Sequence, residues 1–263
     1  MSIIIGGNTL AATDFNSTGE TGNNISFSTR GLILNYDAGN LNSLTTTSNY
    51  YDCGYGCQYY ASAPSCTNCN TQWRDISGYG LDGTLTNGAT FNSAGGGSVY
   101  FDATNDYVTA ASSSQFAFGT GDFTLECWIY PQSFSTYTHM IALPHQDTFA
   151  LKANVTDGAI YFYSSAWTSY GYTSGWTLAI NTWQQVIFKR ESSTGYAYLN
   201  GDSKGSRGSF TNNFTAQVLN IHNGYSGGEI AECKMAIIRI YNRALTSDEI
   251  TNNFNNGRQR FGL

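Results

Sequence analysis

Four cysteines form the most chemically distinctive group in the sequence. Cys53, Cys57, Cys66 and Cys69 are separated by three, eight and two residues. They lie within residues 45–72, which contain five tyrosines but no Val, Ile, Leu, Met or Phe. A segment without aliphatic side chains cannot build its own core, so an ordered form of it needs a covalent or metal staple.

Two staples fit the cysteine spacing. Nested disulfides, Cys53 with Cys69 and Cys57 with Cys66, would close a hairpin that turns near Pro64, and each would contribute about 2–4 kcal/mol. A tetrahedral four-cysteine zinc site suits the two short pairs equally well. A reducing cytoplasm favours zinc and oxygenated water favours disulfides, and free thiols are the third alternative. Redox catalysis is not expected, because no neighbouring Lys, Arg or His would lower a thiol pKa.

A second group of residues has the composition of a contact surface. Residues 161–176 alternate Tyr, Phe and Trp with Ser, Thr, Ala and Gly. Rigid rings between small polar residues give contact area at low entropic cost, and flat rings also suit stacking on sugars. Tyr161 and Tyr163 are expected on a strand with one face inward. The exposed binding candidates are Trp167, Tyr170, Tyr172 and Trp176, although packing in the core is a slightly stronger interpretation of the segment's rings.

Catalytic patterns are missing from the sequence. The three histidines, His139, His145 and His222, are scattered over different segments. The sequence has no phosphate-binding loop and no His-Glu-x-x-His helix. We therefore expect a protein that is not an enzyme.

Composition excludes several classes of partner. Charged residues make up only 11% of the 263 residues, and the net charge is -6. Without a Lys/Arg cluster the chain is not expected to bind a nucleic-acid backbone. No apolar run approaches the roughly 20 residues that cross a bilayer, so no membrane insertion is expected. The first residues also lack the pattern of a secretory signal peptide.

The elements that must position these groups are mainly short strands. Runs typical of strands are Leu32 to Leu34, Val99 to Phe101, Tyr107 to Val108, Phe123 to Tyr130, Ile160 to Tyr163, Gln185 to Lys189, Tyr196 to Leu199 and Ala236 to Tyr241. Phe123, Leu125, Cys127 and Ile129 are expected on one face of their strand. Trp183 is expected to begin a strand and anchor it in the core. Cys127 and Cys233 are expected to be buried single thiols.

One helix is expected near the end of the chain. Thr246 and Glu249 have the spacing of a capping box, and Ile250 and Phe254 share a face. Gly257 can end this helix, which we expect to cover one edge of a sandwich. Residues 1–29 are mostly Gly, Asn, Thr and Ser and predict an arm that docks on a neighbouring protein, or else a frayed terminus.

Several motifs in order resemble the laminin G-like, concanavalin A-like jelly-roll family. They run from residues 31–40 through 73–80, 82–85, 101–108, 123–131, 183–186 and 198–201 to Ile238-Arg239-Ile240-Tyr241-Asn242-Arg243-Ala244-Leu245. The resemblance implies an all-β, antiparallel two-sheet sandwich over residues 30–263, with one short C-terminal helix. Residues 45–72 are an insertion relative to the family.

The resemblance also implies a calcium site. Members of the family often hold a structural Ca²⁺ with carboxylates and backbone carbonyls, which are the oxygen ligands that Ca²⁺ prefers. The matching motifs contain or adjoin Asp75, Asp82, Asp102, Asp106 and Glu232. The alternative is that Asp75 and Asp106 accept backbone hydrogen bonds in turns.

The last residues are similar to versions of this domain in structural proteins of tailed bacteriophages. Residues 253–262 carry that similarity. It implies a non-enzymatic virion surface protein, in a tail fibre, other appendage or capsid decoration, which contacts host-surface glycans. Other virion proteins would be its partners through residues 1–29, and a symmetric homo-oligomer is expected. A carbohydrate-binding module or adhesin of a secreted cellular protein, and a divergent glycanase, are the alternatives.

Overall fold

A computed structural model describes most of the region that follows the first 26 residues. The described residues are 3–5, 8–10, 27–40, 43–46, 69–133, 137–143, 149–154, 160–164, 168–171, 177–208, 210–223 and 231–263. For residues 3–5, 8–10, 44–46, 69–70, 137–139, 143, 149–154, 160–164 and 168–171 the description concerns the backbone alone.

Short strands account for nearly all of the regular structure in this part of the chain. In chain order they are β1 (Ile3–Ile5), β2 (Asn8–Leu10), β3 (Leu32–Asp37), β4 (Leu44–Thr46), β5 (Cys69–Trp73), β6 (Gly83–Thr86), β7 (Thr90–Asn92), β8 (Ser98–Asp102), β9 (Tyr107–Ser113), β10 (Phe123–Pro131), β11 (Tyr137–Leu143), β12 (Phe149–Asn154), β13 (Ile160–Ser164), β14 (Thr168–Gly171), β15 (Gln184–Glu191), β16 (Thr194–Leu199), β17 (Asp202–Arg207), β18 (Gln217–Ile221) and β19 (Glu232–Tyr241). The helix α1 spans Ser247–Arg258. No helix among the described residues is long and apolar enough to span a membrane.

Two antiparallel sheets form the sandwich. The eight-stranded sheet has the order β17-β16-β15-β10-β19-β8-β7, and β3 also pairs with β19. The nine-stranded sheet has the order β14-β13-β12-β11-β18-β9-β6-β5-β4. β1 and β2 pair with each other as a separate hairpin. The predicted all-β jelly-roll sandwich with one short C-terminal helix is confirmed, and so is every predicted strand.

Alternation along the strands divides the buried residues into an inner and an outer set. Phe123, Leu125, Cys127 and Ile129 of β10 lie in the main core between the sheets, as predicted. Trp128 points to the outer face of the eight-stranded sheet and packs with Ile237 of β19. Both faces of this sheet are therefore buried along β10, one by the second sheet and one by α1.

The two ends of the sandwich are defined by β19. At what we call the root end, β19 finishes at Tyr241 opposite Leu32, where β3 begins. At the far end, β19 starts at Glu232 opposite Asp102, where β8 finishes. Phe27 and Ser28 precede β3, so the chain joins the sandwich at the root end.

The helix α1 lies on the outer face of the eight-stranded sheet. Its predicted capping box is confirmed, since Thr246 Oγ1 accepts from Glu249 N and Glu249 Oε2 accepts from Thr246 N. Ile250 packs on Ile187 and Tyr241, and Phe254 stacks on Trp128 at 5.8 Å between ring centroids. The prediction that the helix covers an edge was wrong, because its apolar residues meet the outward side chains of the central strands.

Gly257 does not end the helix. The helix continues to Arg258, a single 3-10 turn follows at Gln259–Phe261, and Gly262 takes the left-handed conformation. A Cβ at Gly257 would lie 2.5 Å from Cζ2 of Trp128. This glycine therefore allows the close approach of the helix to the Trp128 ring rather than a turn of the backbone.

Trp183 also differs from the prediction. It precedes β15 and is only partly buried, on the outer face, where its ring contacts Phe261 at 4.5 Å and Tyr130 at 5.5 Å. Its packing partners are the C-terminal turn and β10, not the core between the sheets. Cys127 and Cys233 are buried and unpaired, as predicted.

Candidate functional site

Part of the aromatic-rich segment lies on β13 and β14, at one edge of the nine-stranded sheet. β13 pairs with β14 so that Tyr170 lies opposite Phe162, and β14 is the edge strand of the sheet. Trp167, Tyr172 and Trp176 lie outside the described residues, and for Tyr170 only the backbone is described.

The five acidic residues implied as calcium ligands fall into two separate groups. Asp75 and Asp82 precede β6, towards the root end. Asp102 and Asp106 flank the turn before β9. The first residue of β9, Tyr107, pairs with Thr86 at the end of β6. The two groups therefore lie at opposite ends of β6. Glu232 lies opposite Asp102 in the register. Among the described residues, no three His, Cys, Asp or Glu side chains are grouped so that they could hold a metal ion.

The carboxylate of Asp75 is saturated by hydrogen bonds within the protein. Its Oδ1 accepts from the N–H groups of Asn35 and Ser77, and its Oδ2 accepts from Ser77 Oγ and Leu81 N. Asp82 Oδ1 in turn accepts from Asp75 N. Four donors leave little acceptor capacity for a cation, so this pair shapes the loop that leads into β6.

Asp106 has a different environment. It is 1% exposed; its Oδ2 accepts from Asp102 N at 3.0 Å, and its Oδ1 has no hydrogen-bond partner. A Cβ at Gly88 would lie only 2.7 Å from that Oδ1, so a glycine here lets the backbone close over the carboxylate. Burial raises the pKa of Asp106. An unpartnered buried carboxylate oxygen costs free energy unless a cation or water reaches it.

His222 ties the loops around Asp106 together. The buried ring places Nδ1 2.9 Å from the carbonyl oxygen of Asp106 and Nε2 2.7 Å from that of Ala231. It also contacts the Phe101 ring at 4.4 Å between centroids. Burial lowers the pKa of His222, although both backbone contacts oppose that shift. Both ring nitrogens therefore contact backbone oxygens, and His222 links the loops that carry Asp106 and Ala231.

Sequence reasoning missed a buried ionic network beneath α1. Glu126 Oε1 accepts from Arg239 Nη1 at 3.1 Å and from Gln185 Nε2 at 2.9 Å, and Oε2 accepts from Asn253 Nδ2 at 2.8 Å. Trp128 Nε1 is also within 3.3 Å of Oε1. The outward position of Glu126 on β10 was the available signal, but its burial depends on where the helix lands. Each oxygen is committed to the protein.

A second network joins the chain before β3 to the helix. Arg243 donates to both carboxylate oxygens of Glu249 at 2.7 Å, and Ser28 Oγ donates to Glu249 Oε1 at 3.0 Å. Ser28 N donates to Asn253 Oδ1. The guanidinium of Arg239 lies 3.9 Å from the Phe27 ring centroid. Phe27 and Ser28 are thus packed on the sandwich.

This network predicts acid sensitivity. Hydrogen bonds from Arg243 lower the pKa of Glu249 to about 2, from an ordinary value of 4.5, against partial burial that raises it. The folded state therefore binds this proton more weakly than the unfolded chain, so the stabilisation is complete above about pH 4.5 and is lost as the pH falls towards 2. We expect Glu249→Gln to reduce the fall in melting temperature between about pH 5 and pH 2.5, measured by circular dichroism. Glu191→Gln should keep the wild-type fall, and an unchanged fall in Glu249→Gln would contradict the assignment.

The four-cysteine segment falls mostly outside the described residues. Cys53, Cys57 and Cys66 are not described, and Cys69 is the first residue of β5, with only its backbone described. The chain leaves β4 and re-enters β5 with Thr46 opposite Cys69, so the segment is anchored at both ends on neighbouring strands.

Comparisons with solved structures show which proteins share this fold. Domain 4 of AbnA, an extracellular arabinanase from Geobacillus stearothermophilus solved with arabinotriose, is 18% identical, with a TM-score of 0.62 over 84% of this chain and 97% of that one. The binding domain of Paraclostridial Mosquitocidal Protein 1 is 14% identical, with a TM-score of 0.59 over 69% of this chain and 49% of that one. Trypanosoma rangeli sialidase is 14% identical, with a TM-score of 0.59 over 87% of this chain and 33% of that one.

At these identities the likeness is one of fold. This chain spans about half the length of the mosquitocidal binding domain and a third of the sialidase. No curated protein sequence matches it significantly. The profile of the concanavalin A-like lectin/glucanases superfamily, in its laminin G form, matches residues 102–251, which is more than half of the chain. The sandwich is therefore a jelly roll of the lectin type, and the chain belongs to the concanavalin A-like lectin/glucanases superfamily.

Proposed function

We propose that the chain is a non-enzymatic, glycan-binding surface protein of a bacteriophage particle, carried by a tail fibre, another appendage or a capsid decoration. The observation that supports the binding half is the position of β13 and β14, which carry part of the aromatic-rich segment and lie at one edge of the nine-stranded sheet as far as the structure describes it. The particle half is supported by the similarity of residues 253–262 to phage structural proteins.

The use of the buried charged groups supports a binding role over catalysis. Glu126, Asp75 and His222 are each held by several hydrogen bonds from the protein itself. A catalytic acid or base must instead reach a substrate proton, directly or through one water. These three groups hold the scaffold in shape.

Screening the purified full chain on a glycan array tests the binding half. We expect binding to at least one oligosaccharide, reduced in Trp167→Ala or Trp176→Ala. An array on which the wild type binds nothing would contradict glycan binding. Release of reducing sugar from any bound glycan would contradict the non-enzymatic assignment.

The particle half has a separate test. Mass spectrometry of purified virions should detect the chain, and deletion of residues 1–26 should abolish its incorporation while the sandwich still folds. The deletion stops at 26 because Phe27 and Ser28 contact Arg239, Arg243 and Asn253. Incorporation of the truncated chain at the wild-type level would refute docking through the arm. The same virion preparation, analysed by cross-linking, tests the expected homo-oligomer.

A second candidate is a carbohydrate-binding module of a secreted cellular protein. It is favoured by the solved arabinanase domain, which is nearly completely covered by this chain. Absence of the chain from all purified particles, together with glycan binding, would select this candidate.

Calcium is proposed at Asp102 and Asp106. Asp106 Oδ1, which accepts no hydrogen bond among the described residues, fits a hard cation that takes carboxylate oxygens, whereas the saturated Asp75 does not. A bound ion would supply structural charge balance in the far-end loops. We expect millimolar Ca²⁺ to raise the melting temperature relative to chelator, and Asp106→Asn to abolish that increment.

The control for the calcium experiment is Asp75→Asn. It should lower the melting temperature while keeping the calcium increment, because its carboxylate binds only protein donors. A wild-type protein that melts at the same temperature with Ca²⁺ and with chelator would refute the site.

The four-cysteine staple is proposed as either two disulfides or one zinc ion. Intact mass separates these and free thiols: disulfides add mass on reduction, zinc is lost to a chelator, and free thiols change with neither. The same measurement covers Cys127 and Cys233, which should remain unpaired.

A further inference from the structure

The helix α1 and its C-terminal turn leave part of the outer face of the eight-stranded sheet accessible at the far end. Four partly exposed side chains cross that area, and we call them the far-end row: Tyr100, Lys234, Tyr130 and Trp183. Lys234 of β19 is the register partner of Tyr100 on β8 and of Tyr130 on β10. Its Nζ lies 5.2 Å from the Tyr130 ring centroid, and the Tyr130 and Trp183 centroids are 5.5 Å apart.

The row is held rigidly from below. The Trp183 ring contacts the Phe261 ring in a tilted arrangement at 4.5 Å between centroids, and Phe261 stacks on the buried Trp128 at 4.7 Å. The row therefore continues into a packed aromatic layer instead of resting on mobile side chains.

The loop that carries Trp183 is also fixed. Gln184 bonds to both the N–H and the C=O of Ala179 and to the carbonyl of Thr182. Asn181, in the left-handed conformation with φ 57°, donates its N–H to the Pro131 carbonyl at 2.7 Å. A binding surface that is ordered before its ligand arrives loses less entropy on binding.

Polar groups of both kinds border the rings. The Tyr100 hydroxyl donates to Glu232 Oε1 at 2.8 Å, which leaves Glu232 Oε2 without a hydrogen bond to any described residue. Among the described residues, no carboxylate lies within ion-pair distance of Lys234 Nζ. Glu232 and Lys234 point to the same face of β19, so an acceptor and a donor stand side by side next to flat rings.

We propose that the far-end row is a binding site for one residue of a neutral glycan. This inference rests on the proposed glycan-binding function and adds a second sugar-contacting area, on the other sheet from the β13–β14 edge. The ring faces of Tyr130 and Trp183 would cover the apolar face of a sugar, while Lys234 donates to one hydroxyl and Glu232 accepts from its neighbour. Lys234 and Glu232 together carry no net charge and the whole chain carries -6, so an anionic sugar gains no attraction here and meets the Glu232 carboxylate.

The test uses Lys234→Met and Tyr130→Ala in the full chain on an array of immobilised neutral and acidic oligosaccharides. We expect each variant to bind the preferred neutral oligosaccharide at least about tenfold more weakly, the size of effect that central contact residues show. Tyr100→Phe removes one hydroxyl and should have a smaller effect. The matched control is Tyr79→Ala, which removes a tyrosine that is 50% exposed on the loop after Asp75. It should bind like the wild type.

The outcomes separate the two proposals. If the wild type binds a glycan and Lys234→Met and Tyr130→Ala bind it equally well, the far-end row is refuted while glycan binding stands. If the wild type prefers acidic glycans, the assignment to a neutral sugar is wrong. If the wild type binds nothing, glycan binding itself fails. Melting curves show whether each variant is folded. Lys234→Met changes only a partly exposed side chain, so this variant still tests the far-end row if Tyr130→Ala does not fold.

Discussion

Glu126→Gln should destabilise the sandwich by about 3–5 kcal/mol, the usual cost of breaking a buried ion pair by removing one partner. Glu126 is 0% exposed, and all four of its contacts are donors: Arg239, Gln185, Trp128 and Asn253. The glutamine amide would turn one of its own donors towards them and leave the Arg239 guanidinium without a counter-charge. Urea unfolding at neutral pH measures the loss.

The matched control is Glu191→Gln. Glu191 also forms an ion pair, with the buried Lys189 at 2.9 Å, but the Glu191 side chain is 46% exposed, so water can replace its carboxylate. Lys189 Nζ would also keep its hydrogen bond to the Leu245 carbonyl. We therefore expect a smaller loss, nearer the value of about 0–1 kcal/mol for a surface pair. Equal losses in the two variants would mean that the buried network does not hold α1 on the sheet.

Arg190→Met is expected to cost a similar amount for a different reason. The guanidinium is buried in the core and donates to the carbonyls of Gly119, Gly121 and Asn212, at 2.6 Å from Nε to Gly121 and from Nη1 to Asn212. Methionine would remove all of these charge-assisted hydrogen bonds, each worth about 1.5–3 kcal/mol, although the Gly119 carbonyl would still accept from Phe214 N. Burial lowers the pKa of Arg190 to about 10, so the cation remains charged at neutral pH.

Three phenylalanine rings complete the Arg190 site. The guanidinium carbon lies 5.0 Å from the ring centroids of Phe123 and Phe214 and 5.3 Å from that of Phe210. Arg190→Lys should therefore be intermediate, because one ammonium cannot reach all three carbonyls in the fork geometry of arginine. Arg74→Met, at an exposed position, should change the unfolding free energy by less than about 0.5 kcal/mol. If Arg190→Met leaves the free energy of unfolding unchanged, the loops that carry Gly119, Gly121 and Asn212 do not need the Arg190 hydrogen bonds.

The local pattern of the sequence predicted the strands well but not their surroundings. Alternation along β10 separated Phe123 and Leu125 from Glu126 correctly, because strand geometry alone decides which side chains share a face. Glu126 is buried because α1 packs over it. The helix follows more than 100 residues later in the chain, so no local sequence pattern predicts this contact. The same long-range contact explains Gly257, whose small size serves Trp128 and not the end of the helix.

The candidate sites show a similar division. The five acidic residues were grouped by family motif, but chain order does not reveal which strand ends adjoin, and the sheet places Asp75 and Asp106 at opposite ends of β6. Lys234 belongs to none of the sequence motifs. Only the pairing of β19 with β8 and β10 brings it between Tyr100 and Tyr130. The aromatic candidates Trp167, Tyr172 and Trp176 stay predictions, since they lie outside the described residues.

The opposite placement of the root end and the far end has a geometric consequence. β10 runs the whole way between them, and its nine residues span roughly 30 Å at the rise of an extended strand. A support that binds the chain ahead of Phe27 would lie at the root end. Tyr130 and Trp183 would then lie at the opposite end of the domain from that support. The domain would then act as a rigid spacer, and its length would set the distance between the support and a ligand bound at the far-end row.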